Sequence, residues 1–261
     1  MKLISIIDQY RDDYEKRHKP TFHQRHAMNS IMACRGGRYG KMQLDCTHCD
    51  YECELNHSCG HRFCHQCQHH DTARWLQRQT QKLIPCDYFL VTFTIPRQLR
   101  PLVYRHQSLL YAHLFDCAVS TLKDFVANDN LLSAEAGITA VLHTHCRRLN
   151  YHPHIHVVIP AGGINKRRCR VSQRKQFLFP QRSLAKVFRA RLLTAIRQSG
   201  LSLPKSLPKQ WIVDCRHTGR GSSALKYLSR YLYRGVISED NIVSDNGSVV
   251  TFKYQCSQTG L

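Results

Sequence analysis

The sequence predicts an α+β protein, in which a small metal-stapled module precedes a larger domain with a mainly antiparallel sheet flanked by helices. Three observations predict it. Seven of the 13 cysteines fall between Cys34 and Cys67. From Asp87 onward, β-branched and aromatic runs alternate with amphipathic helical stretches. Their order (strand, helix, hairpin, helix, strand, helix, strand) belongs to an α+β domain rather than to a parallel α/β one. The boundary is expected near Pro85, giving a Cys-rich domain over 1–85 and a second domain over 86–261.

Leu3, Ile6, Ile7, Tyr10 and Tyr14 repeat at helical spacing and open the chain with an amphipathic helix. In the Cys-rich block, Cys46-x2-Cys49 is followed 14 residues later by Cys64-x2-Cys67. An odd cysteine total with no apolar leader favours metal binding over disulfides. Two such knuckles can close a tetrahedral Zn(II) site, whose role is structural because no coordination position stays open. Cys34, Cys53, Cys59 and His61 are donors enough for a second site, and Cys59 or His61 can replace a knuckle residue. One zinc ion is expected rather than two. His57, His65, His69 and His70 read as solvated. Thr72 to Leu83 reads as a linking helix that ends before Pro85.

In the second domain, Tyr88 to Ile95 is a buried strand stopped by Pro96. Leu110, Leu114, Ala118, Leu122 and Phe125 mark one long helix from Leu102 to Val126. Ile138 to Cys146 and His154 to Pro160 are strands joined by the short segment Arg147 to Pro153. A basic helix covers Leu184 to Gln198, and Gln210 to Cys215 is a strand. The flexible Gly219-Arg220-Gly221 leads to a helix from Ser223 to Tyr233, capped by Ser222 or Ser223. No Walker spacing surrounds those glycines, so no ATP dependence is implied. Val249 to Tyr254 is the last strand.

Charge narrows the function. There are 38 Lys and Arg against 18 Asp and Glu, a formal charge of +20. Such an imbalance calls for a polyanionic partner. Hydrophobic residues make up 42%, which excludes a disordered basic tail as the whole protein. No apolar run reaches the ~18–20 residues of a membrane span. The chain is therefore expected to be cytoplasmic and to bind nucleic acid rather than membrane. Between Glu135 and Asp214 lie 78 residues with 15 Lys and Arg and no carboxylate. That span, with Arg147, Arg148, Lys166, Arg167 and Arg168, reads as a phosphate-facing surface.

The chemistry centres on Tyr151-His152-Pro153-His154-Ile155-His156. On a strand, His154 and His156 project to one face while Ile155 packs inward. If residues 143 and 154 are the paired register of the hairpin, His143 joins them and three imidazoles face one ion. His145 would follow one step further out. Such a site suits Mg(II) or Mn(II) as a Lewis acid on phosphoryl oxygen, and imidazole favours Mn(II) of the two. Tyr227 and Tyr231 lie four apart on one helix face, as paired nucleophiles for a phosphodiester would.

At these residues the chain resembles the HUH insertion-sequence transposases of the IS91 type. The resemblance runs from His57-Ser58-Cys59-Gly60-His61-Arg62-Phe63-Cys64-His65-Gln66-Cys67-Gln68 through the Phe89 to Pro96 strand and Val141-Leu142-His143-Thr144. It continues through Tyr151 to His156 and Pro160-Ala161-Gly162-Gly163 to Tyr227-Leu228-Ser229-Arg230-Tyr231. It implies an N-terminal zinc-binding domain and a double-tyrosine HUH nuclease on a five-stranded antiparallel sheet. The implied reaction nicks single-stranded DNA at element ends, leaving a 5′-phosphotyrosine and a free 3′-hydroxyl, and serves rolling-circle transposition. His154 and His156 are then the paired metal ligands, Tyr227 and Tyr231 the alternating nucleophiles, and Arg230 a DNA contact. The implied partners are element-end and target DNA, near the bacterial nucleoid, with no small-molecule substrate and the oligomeric state left open. Members of the family usually extend past the tyrosine helix, so the C-terminus is expected to be incomplete. Two other readings stay open: a DNA-binding remnant without catalysis, and an HUH replication initiator or relaxase.

Overall fold

The computed structural model describes residues 3–146, 150–172, 178–232 and 239–253, with Arg230 and Tyr231 described by backbone alone. The chain forms two compact units, one of residues 1–75 with 229–261 and one of residues 76–228. The sequence expectation was a single boundary near residue 85. The C-terminal segment instead groups with the N-terminal unit. There Glu239 accepts a hydrogen bond from the Leu3 amide and Asp245 accepts one from the Tyr10 hydroxyl.

The N-terminal unit begins with α1 (Leu3–Arg17) and α2 (Phe22–Met32). Thr21 caps α2 through a capping box with Gln24, which satisfies two of the helix's first amides. A hairpin follows, β1 (Lys41–Asp45) against β2 (Glu52–Asn56), then α3 (Gln68–Thr80). The buried apolar cluster of this unit is small: Ile31, Cys34 and Cys64, with Ile4, Ile7, Cys59 and Cys67 packed around them. A core of that size needs a further staple.

The second unit is built on a four-stranded antiparallel sheet in the order β5-β6-β3-β9. It opens with β3 (Tyr88–Thr94). Then come α4 (Arg100–Arg105) and α5 (Gln107–Ala127), so the single long helix expected from the periodicity breaks at His106. The break lays α4 beside the start of β6, where the Tyr104 and Tyr151 rings meet edge to face at 5.2 Å. The short strand β4 (Ala134–Glu135) is followed by β5 (Thr139–His145) and β6 (Tyr151–Pro160). A further hairpin, β7 (Gly162–Asn165) and β8 (Arg170–Ser172), joins β4 in a separate three-stranded sheet. Next are α6 (Gln181–Gln198), β9 (Val213–His217) and α7 (Ser222–Leu232). Back in the first unit, β10 (Ile242–Asp245) pairs with β11 (Val250–Phe252). Among the described residues the central sheet thus has four strands where the family resemblance implied five.

Strand alternation sorts the two faces of that sheet. Phe89, Val91 and Phe93 of β3, Ile155, Val157 and Ile159 of β6, and Val213 and Cys215 of β9 point into the main core. They meet Leu110, Leu114, Ala118 and Leu122 of α5 and Leu184, Phe188, Leu192 and Ile196 of α6. Each fully buried aliphatic or aromatic side chain stabilises the fold by about 1.5–3 kcal/mol. The same alternation turns Thr92, His143, His154 and His156 to the opposite face, toward Tyr227 of α7.

Candidate active site and metal centres

His143 pairs directly with His154 across the β5–β6 hairpin, and Thr92 of β3 pairs with His156. Three imidazoles from two neighbouring strands therefore share one patch. Their ring centres are 5.2 Å apart for His143 and His154, 4.3 Å for His143 and His156, and 4.8 Å for His154 and His156. One nitrogen from each lies within 4.8 Å of the other two. His145, the outer candidate, is exposed, and its register slips at a bulge to pair with Tyr151.

Burial sets the chemistry of the patch. His143 and His156 are only 7% and 6% exposed. Desolvation first, and the adjoining imidazoles second, push His143 down to about 3 and His156 down to about 2. Burial lowers His154 as well. All three are neutral at physiological pH, with lone pairs free to bind a cation. Hydrogen bonds set how the rings present those lone pairs. The His154 Nδ1 is 2.6 Å from the His152 carbonyl oxygen. A carbonyl only accepts, so Nδ1 carries the proton and Nε2 carries the lone pair. His156 Nδ1 is held by Thr92 Oγ1 at 2.9 Å, which leaves its Nε2 for a ligand. Supports of this kind are what orient metal-binding histidines. Neutral, convergent and externally oriented, the three histidines fit a divalent cation.

Tyr227 stands over this group, its ring centre 5.6 Å from that of His156 and 6.4 Å from that of His143. A hook between β9 and α7 holds it there. Thr218 and Gly219 exchange backbone hydrogen bonds with Tyr88 at the start of β3. Gly221 then turns the chain at φ +88°, where a Cβ would come within 2.8 Å of Tyr88 Cγ. Ala224, Leu225 and Leu228 are the buried face of α7. Tyr231 lies one turn on in the same helix, but its side chain and that of Arg230 are outside the described residues, as are Arg147 and Arg148. Lys166, Arg167 and Arg168 sit exposed on the β7–β8 turn.

In the N-terminal unit the four sulfurs that converge are those of Cys34, Cys59, Cys64 and Cys67, all within 4.8 Å of one another. The Cys34–Cys67 and Cys59–Cys67 separations are both 3.5 Å. A tetrahedron with Zn–S bonds of ~2.3 Å has edges of ~3.8 Å, so the group fits zinc. Burial pushes the Cys64 thiol up to about 11. Burial also raises Cys67, but hydrogen bonds from the Cys34 and Cys59 thiols outweigh it and bring Cys67 down to about 7.

Cys46 and Cys49 are not brought to Cys64 and Cys67. They are exposed and sit at the tip of the β1–β2 hairpin, where the His48 amide points at the Cys46 sulfur. The hairpin is the physical reason. Cys34 precedes it and Cys59 follows it, so both stand at its base, whereas a five-residue strand carries its tip ~17 Å away. His61 also stays outside the group, with its Nδ1 accepting from the Phe63 amide, and Cys53 lies within β2.

Comparison with known proteins finds two family matches along the chain. Residues 6–95 match the family described as “Transposase zinc-binding domain”, and residues 137–260 match the family described as “Putative transposase”. The “Putative transposase y4qJ” of Sinorhizobium fredii is 28% identical across 97% of this chain and 70% of its own length. The “Transposase for insertion sequence element IS801” of Pseudomonas savastanoi pv. phaseolicola is 28% identical across 80% of this chain. The match spans only about half of that relative, 54%. Among solved structures, the conjugative relaxase TrwC in complex with mutant OriT DNA is a distant likeness. It covers 48% of each chain at a TM-score of 0.36 and 22% identity. No helix among the described residues is long and apolar enough to cross a membrane. Zinc-binding and transposase regions thus follow one another in this chain, which is similar to transposases along nearly its whole length, in keeping with the IS91 type.

Proposed function

We propose that this chain nicks and rejoins single-stranded DNA by tyrosine transesterification at the ends of its element, in rolling-circle transposition. The observation that carries the reading is the convergence of His143, His154 and His156 beneath Tyr227. The three histidines hold a divalent ion, Mn(II) in preference to Mg(II) given an all-imidazole donor set. When bound, such an ion supplies Lewis-acid polarisation of a non-bridging phosphoryl oxygen. The rest is the work of the chain. Tyr227 presents its hydroxyl from a helix pinned to β3, so attack needs little reorganisation. Its oxygen forms a bond to phosphorus while the bond from phosphorus to the 3′-oxygen breaks. The phenolic proton is lost and the departing 3′-oxygen gains one, giving a 5′-phosphotyrosine and a free 3′-hydroxyl. Attack by a 3′-hydroxyl reverses the step and rejoins a strand. Tyr231 serves as the second nucleophile, one helical turn along.

Cys34, Cys59, Cys64 and Cys67 hold a structural zinc that supplies the folding energy a small core lacks. The basic run Lys166, Arg167 and Arg168, with Arg147, Arg148 and Arg230, contacts DNA phosphates.

A test is to incubate the chain with Mn(II) and a labelled single-stranded oligonucleotide carrying the end of its element, then separate products on a denaturing gel. A covalent adduct that depends on Mn(II) and falls in Tyr227→Phe supports the reading. No adduct from wild-type chain overturns it.

A further inference from the structure

We infer that Arg100 and Tyr104, on the outer face of α4, form a seat for the nucleotide flanking the scissile phosphate: the guanidinium takes a backbone phosphate and the tyrosine ring stacks on a base. This rests on the proposed single-stranded DNA substrate and adds where that strand lies.

Four observations converge on α4. First, Arg100 is half-buried, its Nε is sealed from solvent without a hydrogen-bond partner, and no carboxylate among the described residues pairs with it. A partly desolvated guanidinium with no counter-ion is costly, and a phosphate placed against it would offset that cost. Second, α4 lies against the start of β6: Tyr104 meets the ring of Tyr151, which opens the strand that carries His154 and His156. Third, Tyr104 lies four residues on, on the same helix face, and is 62% exposed. Fourth, its ring is fixed rather than loose. Tyr104 packs edge to face on Tyr151 at 5.2 Å, and Tyr151 in turn shares a 2.9 Å hydrogen bond with Tyr111. A braced, exposed aromatic beside an unpaired arginine is the pairing that single-stranded nucleic acid uses, stacking on bases and neutralising phosphates. The alternation of backbone charge and base plane along one strand matches Arg100 and Tyr104 in turn.

The test measures binding of a fluorescein-labelled 20-mer oligo(dT) to the full chain by anisotropy, without added Mn(II), over a salt series. Tyr104→Ala is expected to weaken binding about 5- to 100-fold with the salt slope unchanged, and Tyr104→Trp to restore it. Arg100→Gln is expected to lower the salt slope by about 0.7, the value for one phosphate contact on a single strand, whereas Arg100→Lys keeps the slope. A 20-mer bearing one 5-iodouracil should photocrosslink to the peptide containing Tyr104. The seat is overturned if both alanine and glutamine variants bind as wild type does, or if crosslinks avoid that peptide. The covalent-adduct assay separates this from the cleavage reading. Wild-type adduct with unaltered binding by the variants sinks the seat alone, while altered binding with no adduct sinks cleavage alone.

Discussion

Thr92→Val is the most economical perturbation of the metal centre. Valine keeps the shape of threonine and removes only the hydroxyl that holds His156 Nδ1 at 2.9 Å. In the cation-bound form Nε2 faces the ion, so Nδ1 carries a proton that loses its acceptor. With His156 only 6% exposed, water cannot stand in. A buried donor left unsatisfied costs about 1–3 kcal/mol. In the cation-free form the ring can turn and recover part of that loss, so most of the penalty falls on binding. The expected result is a Kd for Mn(II) raised about 10- to 100-fold, the size usual for a lost outer partner of a ligand histidine. Isothermal titration of Mn(II) into the zinc-loaded chain measures it. Adduct formation should then recover at saturating Mn(II), because the nucleophile is untouched. An unchanged Kd, or a rate loss that no amount of Mn(II) restores, would show that the Thr92 hydroxyl does not orient His156 for the ion.

Other expectations follow from the same geometry. Cys34→Ser should remove one zinc ion per chain by native mass spectrometry, while Cys46→Ser should not, and the reverse result would return the site to the hairpin tip. Acid should destabilise the metal-free second unit. His143, His152, His154 and His156 are held down by burial when folded and are ordinary when unfolded, so the unfolded state binds more protons and stability falls as pH drops below ~6.5. At pH 5 the loss is about 2 kcal/mol each for His143 and His156. Urea unfolding of a Trp75→Phe chain, followed at buried Trp211, should show it, with His143→Leu removing roughly a third or less. Gly221→Ala should lower Tm, since it imposes φ +88° on alanine and drives its Cβ to 2.8 Å from Tyr88 Cγ, at a cost of roughly 1–3 kcal/mol.

What the sequence could and could not convey follows from the range of the signals involved. The histidine patch was legible because a two-residue period and one hairpin register determine it, and His143 does pair with His154. Tyr227 was legible as part of a helix, but its place over His156 depends on the β9–α7 hook, a tertiary feature. The cysteines were harder. Paired Cys-x2-Cys spacing is a local signal, and it drew attention to Cys46 and Cys49. Which sulfurs meet is decided by the strands between them, and β1 and β2 are polar, exposed and weakly patterned. Cys34 and Cys59 flank that hairpin on either side, a clue that Cys-x2-Cys spacing does not contain. Likewise α4 was absorbed into α5, because apolar periodicity runs across the break at His106 and hides the change of direction that sets Tyr104 against Tyr151.

The proposed chemistry stands or falls with Tyr227 as the nucleophile over the histidine patch. Trypsin cuts after Lys226, Arg230 and Arg234, so Tyr227 and Tyr231 fall in different peptides, Tyr227-Leu228-Ser229-Arg230 and Tyr231-Leu232-Tyr233-Arg234. Mass spectrometry of the digested DNA adduct assigns the link directly. The expected product is 5′-phosphonucleotide on Tyr227 after first-strand cleavage; an adduct carried only by other residues would exclude Tyr227 as the first nucleophile.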